Sequence, residues 1–132
     1  MLTPPTEASV ARRLVAIVTH GDARTFARLD ATARRAVRSG ASVRVFFRDE
    51  AIPALCHPDV SERMSGALPA PAIGRALERM ARREDTRLYA CSSSLYLWGV
   101  TAADLLPSIQ GSRGLITFLV EDLAGAEKVL TY

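Results

Sequence analysis

The run Leu14-Val15-Ala16-Ile17-Val18 has no polar interruption. A strand with one face in water alternates apolar and polar residues, whereas an unbroken apolar strand is typical of a parallel sheet covered on both faces. The next thirty residues agree. Thr19-His20-Gly21-Asp22 turns the chain, and from Ala23 the apolar residues Phe26, Leu29, Ala33 and Val37 recur at helical spacing until Ser39-Gly40, a helix stop. Val43-Arg44-Val45-Phe46-Phe47 is then a second strand. Strand, helix, strand requires a crossover and therefore a parallel pair.

The same logic carries the rest of the chain. Asp49–Leu55 predicts a short helix limited by Pro53, and residues 56–71, with Pro58, Gly66, Pro69 and Pro71, read as a mobile loop. Ile73, Leu77, Met80 and Ala81 mark a second amphipathic helix. Thr86–Ala90 predicts a third strand ending at Cys91, and Ser92–Trp98 a short helix stopped at Gly99. Thr101-Ala102-Ala103-Asp104 resembles a capping box, so another short helix is expected to about Leu106. Gly111 and Gly114 bracket a turn before a fourth strand, Leu115–Val120; Glu121–Ala126 is a brief helical crossover and Lys128–Tyr132 a fifth strand. About five strands alternating with helices predict a three-layer α/β/α sandwich with a mostly parallel sheet. With 132 residues the chain is one domain over 1–132, its first eleven residues expected to be a poorly ordered tail.

Composition excludes several classes. Hydrophobic residues make up 48% and charged residues 23%, a globular balance. No apolar run approaches a membrane span, and Met1–Glu7 lacks the pattern of a secretory signal, so a cytoplasmic protein without a membrane span is expected. The net charge of +3 is carried almost wholly by arginine. Arg34, Arg35, Arg38, Arg79, Arg82 and Arg83 fall toward helix ends, where cations meet the negative end of the helix dipole. No aromatic-interleaved basic surface accompanies them, so a nucleic-acid partner is not expected. Nor is there a phosphate-binding glycine loop or a zinc-type cysteine pattern. Two well-separated histidines make no metal site, and no cofactor is implied.

Ligands of open parallel sheets bind beyond the carboxyl ends of the strands. That rule selects the loops starting at Thr19, Arg48, Cys91 and Glu121. Turn and cap roles account for Asp49, Glu50, Glu121 and Asp122, and Cys91 stands out because Ser92, Ser93 and Ser94 follow it at the start of a helix. Such a start favours an anion and lowers a thiol's pKa, giving a nucleophilic thiolate able to accept sulfur as a persulfide. The competing explanation is a buried cysteine that closes a strand. Cys56, beside His57, is a second thiol for a resolving role or for plain packing. His20, on the same rim, suits a general base or an ordinary loop position. A phosphatase is disfavoured, because Leu97 stands where its phosphate loop needs arginine.

The segment Leu88-Tyr89-Ala90-Cys91-Ser92-Ser93-Ser94-Leu95, with Gly99-Val100 after it, resembles the cysteine loop of the DsrE/DsrF-like family. The opening strand into Thr19-His20-Gly21, the strand Val43–Phe47 and the ending Ala126-Glu127-Lys128-Val129-Leu130 are similar too. The family includes sulfur-relay proteins that pass persulfide sulfur between cysteines, commonly as oligomers. The resemblance implies a sulfurtransferase-like carrier in which Cys91 holds the sulfur, a small sulfur-carrier protein acts as donor or acceptor, and the chain forms a homo-oligomer. Trp98 departs from the pattern, since relay members often carry arginine just before the closing glycine. Two other functions fit the same residues: a module that holds a small anion or nucleotide at the serine-rich helix start, and a scaffold subunit whose Tyr96 and Trp98 make protein contacts.

Overall fold

The computed structural model describes residues 12–132, so the tail expected over 1–11 lies outside the described residues. Five strands, β1 (Arg13–Val18), β2 (Ser42–Phe47), β3 (Thr86–Cys91), β4 (Gly111–Arg113) and β5 (Lys128–Thr131), form one sheet in the order β4-β3-β2-β1-β5. Every pairing in it is parallel. The helices are α1 (Ala23–Arg38), α2 (Pro58–Ser65), α3 (Pro71–Arg82), α4 (Ser92–Trp98) and α5 (Leu115–Phe118), with 3₁₀ turns at Asp49–Leu55 and Ala102–Asp104. A π-helical turn, Leu119–Leu123, continues α5. This is the expected three-layer α/β/α fold.

The layers are unequal, and strand order explains why. The first three connections each step the chain one strand toward β4, and right-handed crossovers then place their helices on one face. The fourth connection runs back across the sheet to the far side of β1, so its helix lands on the other face. That return spans four strand spacings, roughly 19 Å, and α5 with its π turn is the only helix it contains.

The first face therefore holds most of the core. Leu14, Val45, Phe47 and Leu88 pack there against Phe26 and Leu29 of α1 and Leu77 and Met80 of α3. The rings of Phe26 and Phe47 stack at 5.5 Å. Asp30 of α1, nearly buried, pairs with Arg79 at 2.9 Å and Arg83 at 2.6 Å and so ties α1 to α3. Two of the six helix-end arginines are thus inter-helix ties, Arg83 largely buried and Arg79 half exposed. The second face has only the small cluster Val15, Phe46, Cys91 and Phe118. Where apolar cover runs out, its strands carry Arg13, Arg44 and Arg87 instead.

Two segments differ from the sequence-based expectation. The supposed mobile loop at 56–71 contains α2. Pro58 and Pro71 start helices there, at a position where a missing N–H costs nothing. Gly66, at φ 79°, ends α2 in the left-handed conformation glycine favours. The fourth strand is Gly111–Arg113, and Leu115–Val120 is helical. A short run that is apolar except for Thr117 has no period to separate strand from helix. Here only Phe118 of that run is fully buried, while Ile116 and Val120 point outward. The true strand is held by backbone pairing to β3, extended by the Gln110 side chain, which accepts from the Leu88 N–H at 2.6 Å.

Candidate functional site

A parallel sheet opens a crevice where adjacent strands send their outgoing connections to opposite faces. Here that point lies between β3, whose chain continues into α4 on the first face, and β4, which leads into α5 on the second. Cys91 and Arg113, the last residues of these strands, pair directly across it. One step beyond the last β2–β3 pair, Phe47 with Ala90, Arg48 comes level with Cys91 on the other side. The backbone of Cys91 thus lies in the strand row between those of two arginines, roughly 5 Å from each by strand spacing. Their guanidinium groups pair with Asp49 on the Arg48 side and with Glu121 and Asp122 on the Arg113 side.

Cys91 is a free thiol and only 1% exposed. Such burial is that of a cysteine closing a strand, the competing explanation of this position, rather than of an open nucleophile. Alternation along β3 turns the side chain to the second face, where Val15, Phe46 and Phe118 enclose it. Phe118 lies over the site, its ring stacked on Phe46 at 4.4 Å. A cleft of about 330 Å³ bordered by Asp49, Glu50, Ser94, Leu97 and Trp98 adjoins the next helix, but Cys91 is not among its walls.

The serines divide. Ser92 and Ser93 are exposed, and Ser92 Oγ lies beside Gly114 across the switch point. Ser94 is buried, and its Oγ accepts the backbone N–H of Asp49 at 3.0 Å. Asp49 has φ 52°, a left-handed conformation costly for a residue with a Cβ. The indole of Trp98 donates to its carbonyl at 2.9 Å. Ser94 and Trp98 therefore clamp one strained turn, which gives Trp98 a structural task at the place of the family's arginine.

The remaining candidates do not converge on Cys91. His20 is exposed at the end of β1, two strands from β3, and its Nδ1 lies 3.3 Å from the Thr19 hydroxyl. Cys56 is buried in the first-face core, on the opposite side of the sheet from Cys91, so a resolving role is sterically closed in this fold. Burial, with Asp104 adding to it, pushes its thiol up to about 11, away from the reactive thiolate. Cys56 does border an apolar cavity of about 330 Å³ with Pro58, Leu68 and Pro71. His57 is half-buried at the start of α2, its N–H given to the Asp104 carbonyl at 3.0 Å.

Sequence reasoning missed the residues around Arg113. Its guanidinium lies 4.4 Å over the Tyr89 ring and donates to the Tyr89 hydroxyl at 3.2 Å and to Glu121 at 2.7 Å. The Tyr89 hydrogen bond, with the nearby acids, raises its pKa, so it stays a cation. Asp122, 4% exposed, lies between Arg44 Nε at 3.6 Å and Arg113 Nε at 3.4 Å. An arginine ending a three-residue strand leaves no pattern in the sequence, and Glu121 and Asp122, placed on the rim by their position, are there explained as turn and cap residues rather than as its partners. Among the described residues no cluster of His, Cys, Asp and Glu could hold a metal ion, and no helix is long and apolar enough to cross a membrane.

The fold and switch point define the chain as a parallel α/β/α protein. No family model matches it, and no curated protein matches it. Among solved structures it is similar to the protein of unknown function MTH1491 from Methanobacterium thermoautotrophicum. The TM-score is 0.64 at 17% identity, covering 90% of this chain and 98% of that one. At that identity the likeness speaks for the fold alone.

Proposed function

We propose that the chain is a DsrE/DsrF-like sulfur carrier in which Cys91 accepts and passes on persulfide sulfur. The observation that carries this reading is the position of Cys91: the last residue of β3, at the sheet's switch point, level with Arg48 and Arg113. Cationic neighbours suit an anionic sulfur. In the step itself the Cys91 thiolate attacks the terminal sulfur of a donor persulfide, RS–SH. A new S–S bond forms on Cys91, the donor's S–S bond breaks, and RS⁻ leaves with the electron pair; no net oxidation occurs. Burial counts against this chemistry in the closed structure, so transfer requires the segment above the sulfur to move.

The test is intact-mass analysis after incubation with a low-molecular-weight persulfide. The native protein is expected to gain about 32 Da, one sulfur, mapped to Cys91, and the Cys91→Ser variant none. A label that persists in Cys91→Ser, or native protein that stays unlabelled, overturns the assignment.

One observation favours a second reading, an assembly subunit. Tyr96 and Leu97 on α4 are 84% and 81% exposed, and Ile116 and Val120 on the other face are 77% and 67% exposed. Large apolar groups left this open mark contact surfaces. Sedimentation would show a homo-oligomer that Leu97→Glu or Ile116→Glu weakens; a native monomer at micromolar concentration removes this reading.

A further inference from the structure

The segment over Cys91 is fastened to the sheet by one buried ring, Phe118, with Leu115 and Leu123 half-buried beside it, and by a set of charges. Along Leu115–Leu123 only Phe118 and Asp122, one helical turn apart, are buried, while Ile116, Leu119 and Val120 face outward. The Asp122 carboxylate reaches down between Arg44 and Arg113, which belong to different strands. From β1, Arg13 adds hydrogen bonds to the carbonyl oxygens of Glu121 at 3.2 Å and Asp122 at 3.3 Å.

This fastening is imperfect. Asp122 Oδ2 and Arg113 Nε are buried with no hydrogen-bond partner, although they lie 3.4 Å apart. A buried ion pair repays its desolvation only when its geometry is good and its remaining polar atoms are satisfied. The segment is also a single turn of α-helix running into a π turn, a form that is rare in helices and frequent at functional sites. Few buried contacts and an unsatisfied ion pair are what a locally opening unit looks like.

We propose that Leu115–Leu123 is a lid over Cys91 and that Asp122 is its latch, a positioning residue that acts on the thiol through Phe118. With the carboxylate between Arg44 and Arg113, Phe118 is held on Phe46 and the sulfur is closed. When Asp122 leaves, the aromatic cover lifts, Arg44 loses its carboxylate partner, and Arg113 keeps only Glu121 at 2.7 Å. A lid here rests on the assignment of Cys91 as the functional atom, but its test reads access to the thiol rather than sulfur transfer.

Cys56 provides an internal control, because it is equally buried but lies in the core of the opposite face. Lid opening exposes Cys91 alone; global unfolding exposes both thiols. Alkylation by iodoacetamide under native conditions, resolved by peptide mass, is expected to be roughly tenfold faster at Cys91 in Asp122→Asn than in the native protein, as a buried pair loses one charge. Cys56 should keep its native rate. Arg44→Gln, which weakens the latch from the sheet side, should give a smaller rise with the same selectivity, and it decides the matter if Asp122→Asn does not fold. A parallel rise at both cysteines, or an unchanged Cys91 rate in a folded variant, overturns the latch. Selective Cys91 labelling without any persulfide would leave the lid standing and remove the sulfur-carrier reading.

Discussion

The two faces of this sheet are built from the same five strands and hold together by different physics. On the first, α1 and α3 lie side by side, their apolar stripes meeting Leu14, Val45, Phe47 and Leu88 in one continuous core. On the second, four side chains make the buried cluster, half-buried residues such as Tyr89, Leu115 and Leu123 border it, and arginines with Glu121 and Asp122 supply the rest of the attachment. Burial of apolar area is non-directional and tolerant of small shifts. An ion pair in a partly dry site depends on geometry and on every polar atom finding a partner. The first face is thus suited to being permanent and the second to having two states, and Cys91 lies on the second.

The sharpest way to break the contrast is to cut an aromatic side chain from each face. Phe47→Ala removes a fully buried ring from the stack with Phe26 and should cost about 3–5 kcal/mol in denaturant-induced unfolding. Phe118→Ala removes an equally buried ring, but from a segment whose neighbours are exposed and free to collapse inward. Its cost should be nearer about 2–3 kcal/mol. Equal losses would mean that the lid folds as part of the core, and the two faces would then differ only in thickness.

The ion pairs give the next comparison. Asp30 and Asp122 each serve two arginines and each leaves one buried oxygen without a hydrogen bond, yet Asp30 makes a directed hydrogen bond to Arg79 and Asp122 makes none to Arg44 or Arg113. Asp30→Ala should destabilise the protein by about 1–3 kcal/mol, less than a fully buried pair because Arg79 is half exposed. Hydrogen exchange should separate the faces without mutation. Amides of β1 and β2 are expected to exchange only through global unfolding, and those of Leu119–Leu123 through a lower-energy opening. Protection in that turn equal to β1 would contradict a separate lid.

Legibility in the sequence divides along the same line. On the first face α1, α3 and the strands beneath them announce themselves by the apolar spacing that a thick core demands, whereas α2, bounded by Pro58 and Gly66, reads as a loop. On the second face the signals fail for physical reasons. Leu115–Val120 is apolar at every position but Thr117, although only Phe118 is fully buried and Ile116 and Val120 are left outward, so its period is lost. Gly111–Arg113 has no strand-like composition, because an edge strand of three residues needs only its backbone partners. Cys91 was legible as a position and not as an environment: the strand-to-helix junction can be read from Leu88–Gly99, whereas the ring that covers it comes from Phe118, more than twenty positions later. His20 and Cys56 both suggest rim neighbours of Cys91 when only the order of elements is known, but sheet order and alternation keep them apart.

The smallest expected effect belongs to Asp22, and it marks the tolerant end of the contrast. Its side chain caps α1, accepting from the Thr25 N–H at 3.1 Å and from the Thr25 hydroxyl at 2.7 Å. These bonds to Thr25 hold its carboxyl below the ordinary value of 3.8. A folded pKa below the unfolded one contributes stability that is present above pH 3.8 and is lost as pH falls through the lower folded value. Asp22→Ala should therefore cost about 1 kcal/mol at neutral pH, measured by denaturant titration, and the gap from the native protein should close on acidification below 3.8. The labelling rates of Cys56 and Cys91 should not separate, because α1 keeps its buried stripe when its cap is gone. One lost carboxylate on the first face would then be a local matter of the first turn of a helix, whereas one lost carboxylate on the second changes which thiol is accessible. If Asp22→Ala also freed Cys91 selectively, the two faces would be coupled through β1, and the opening could no longer be ascribed to the Asp122 latch.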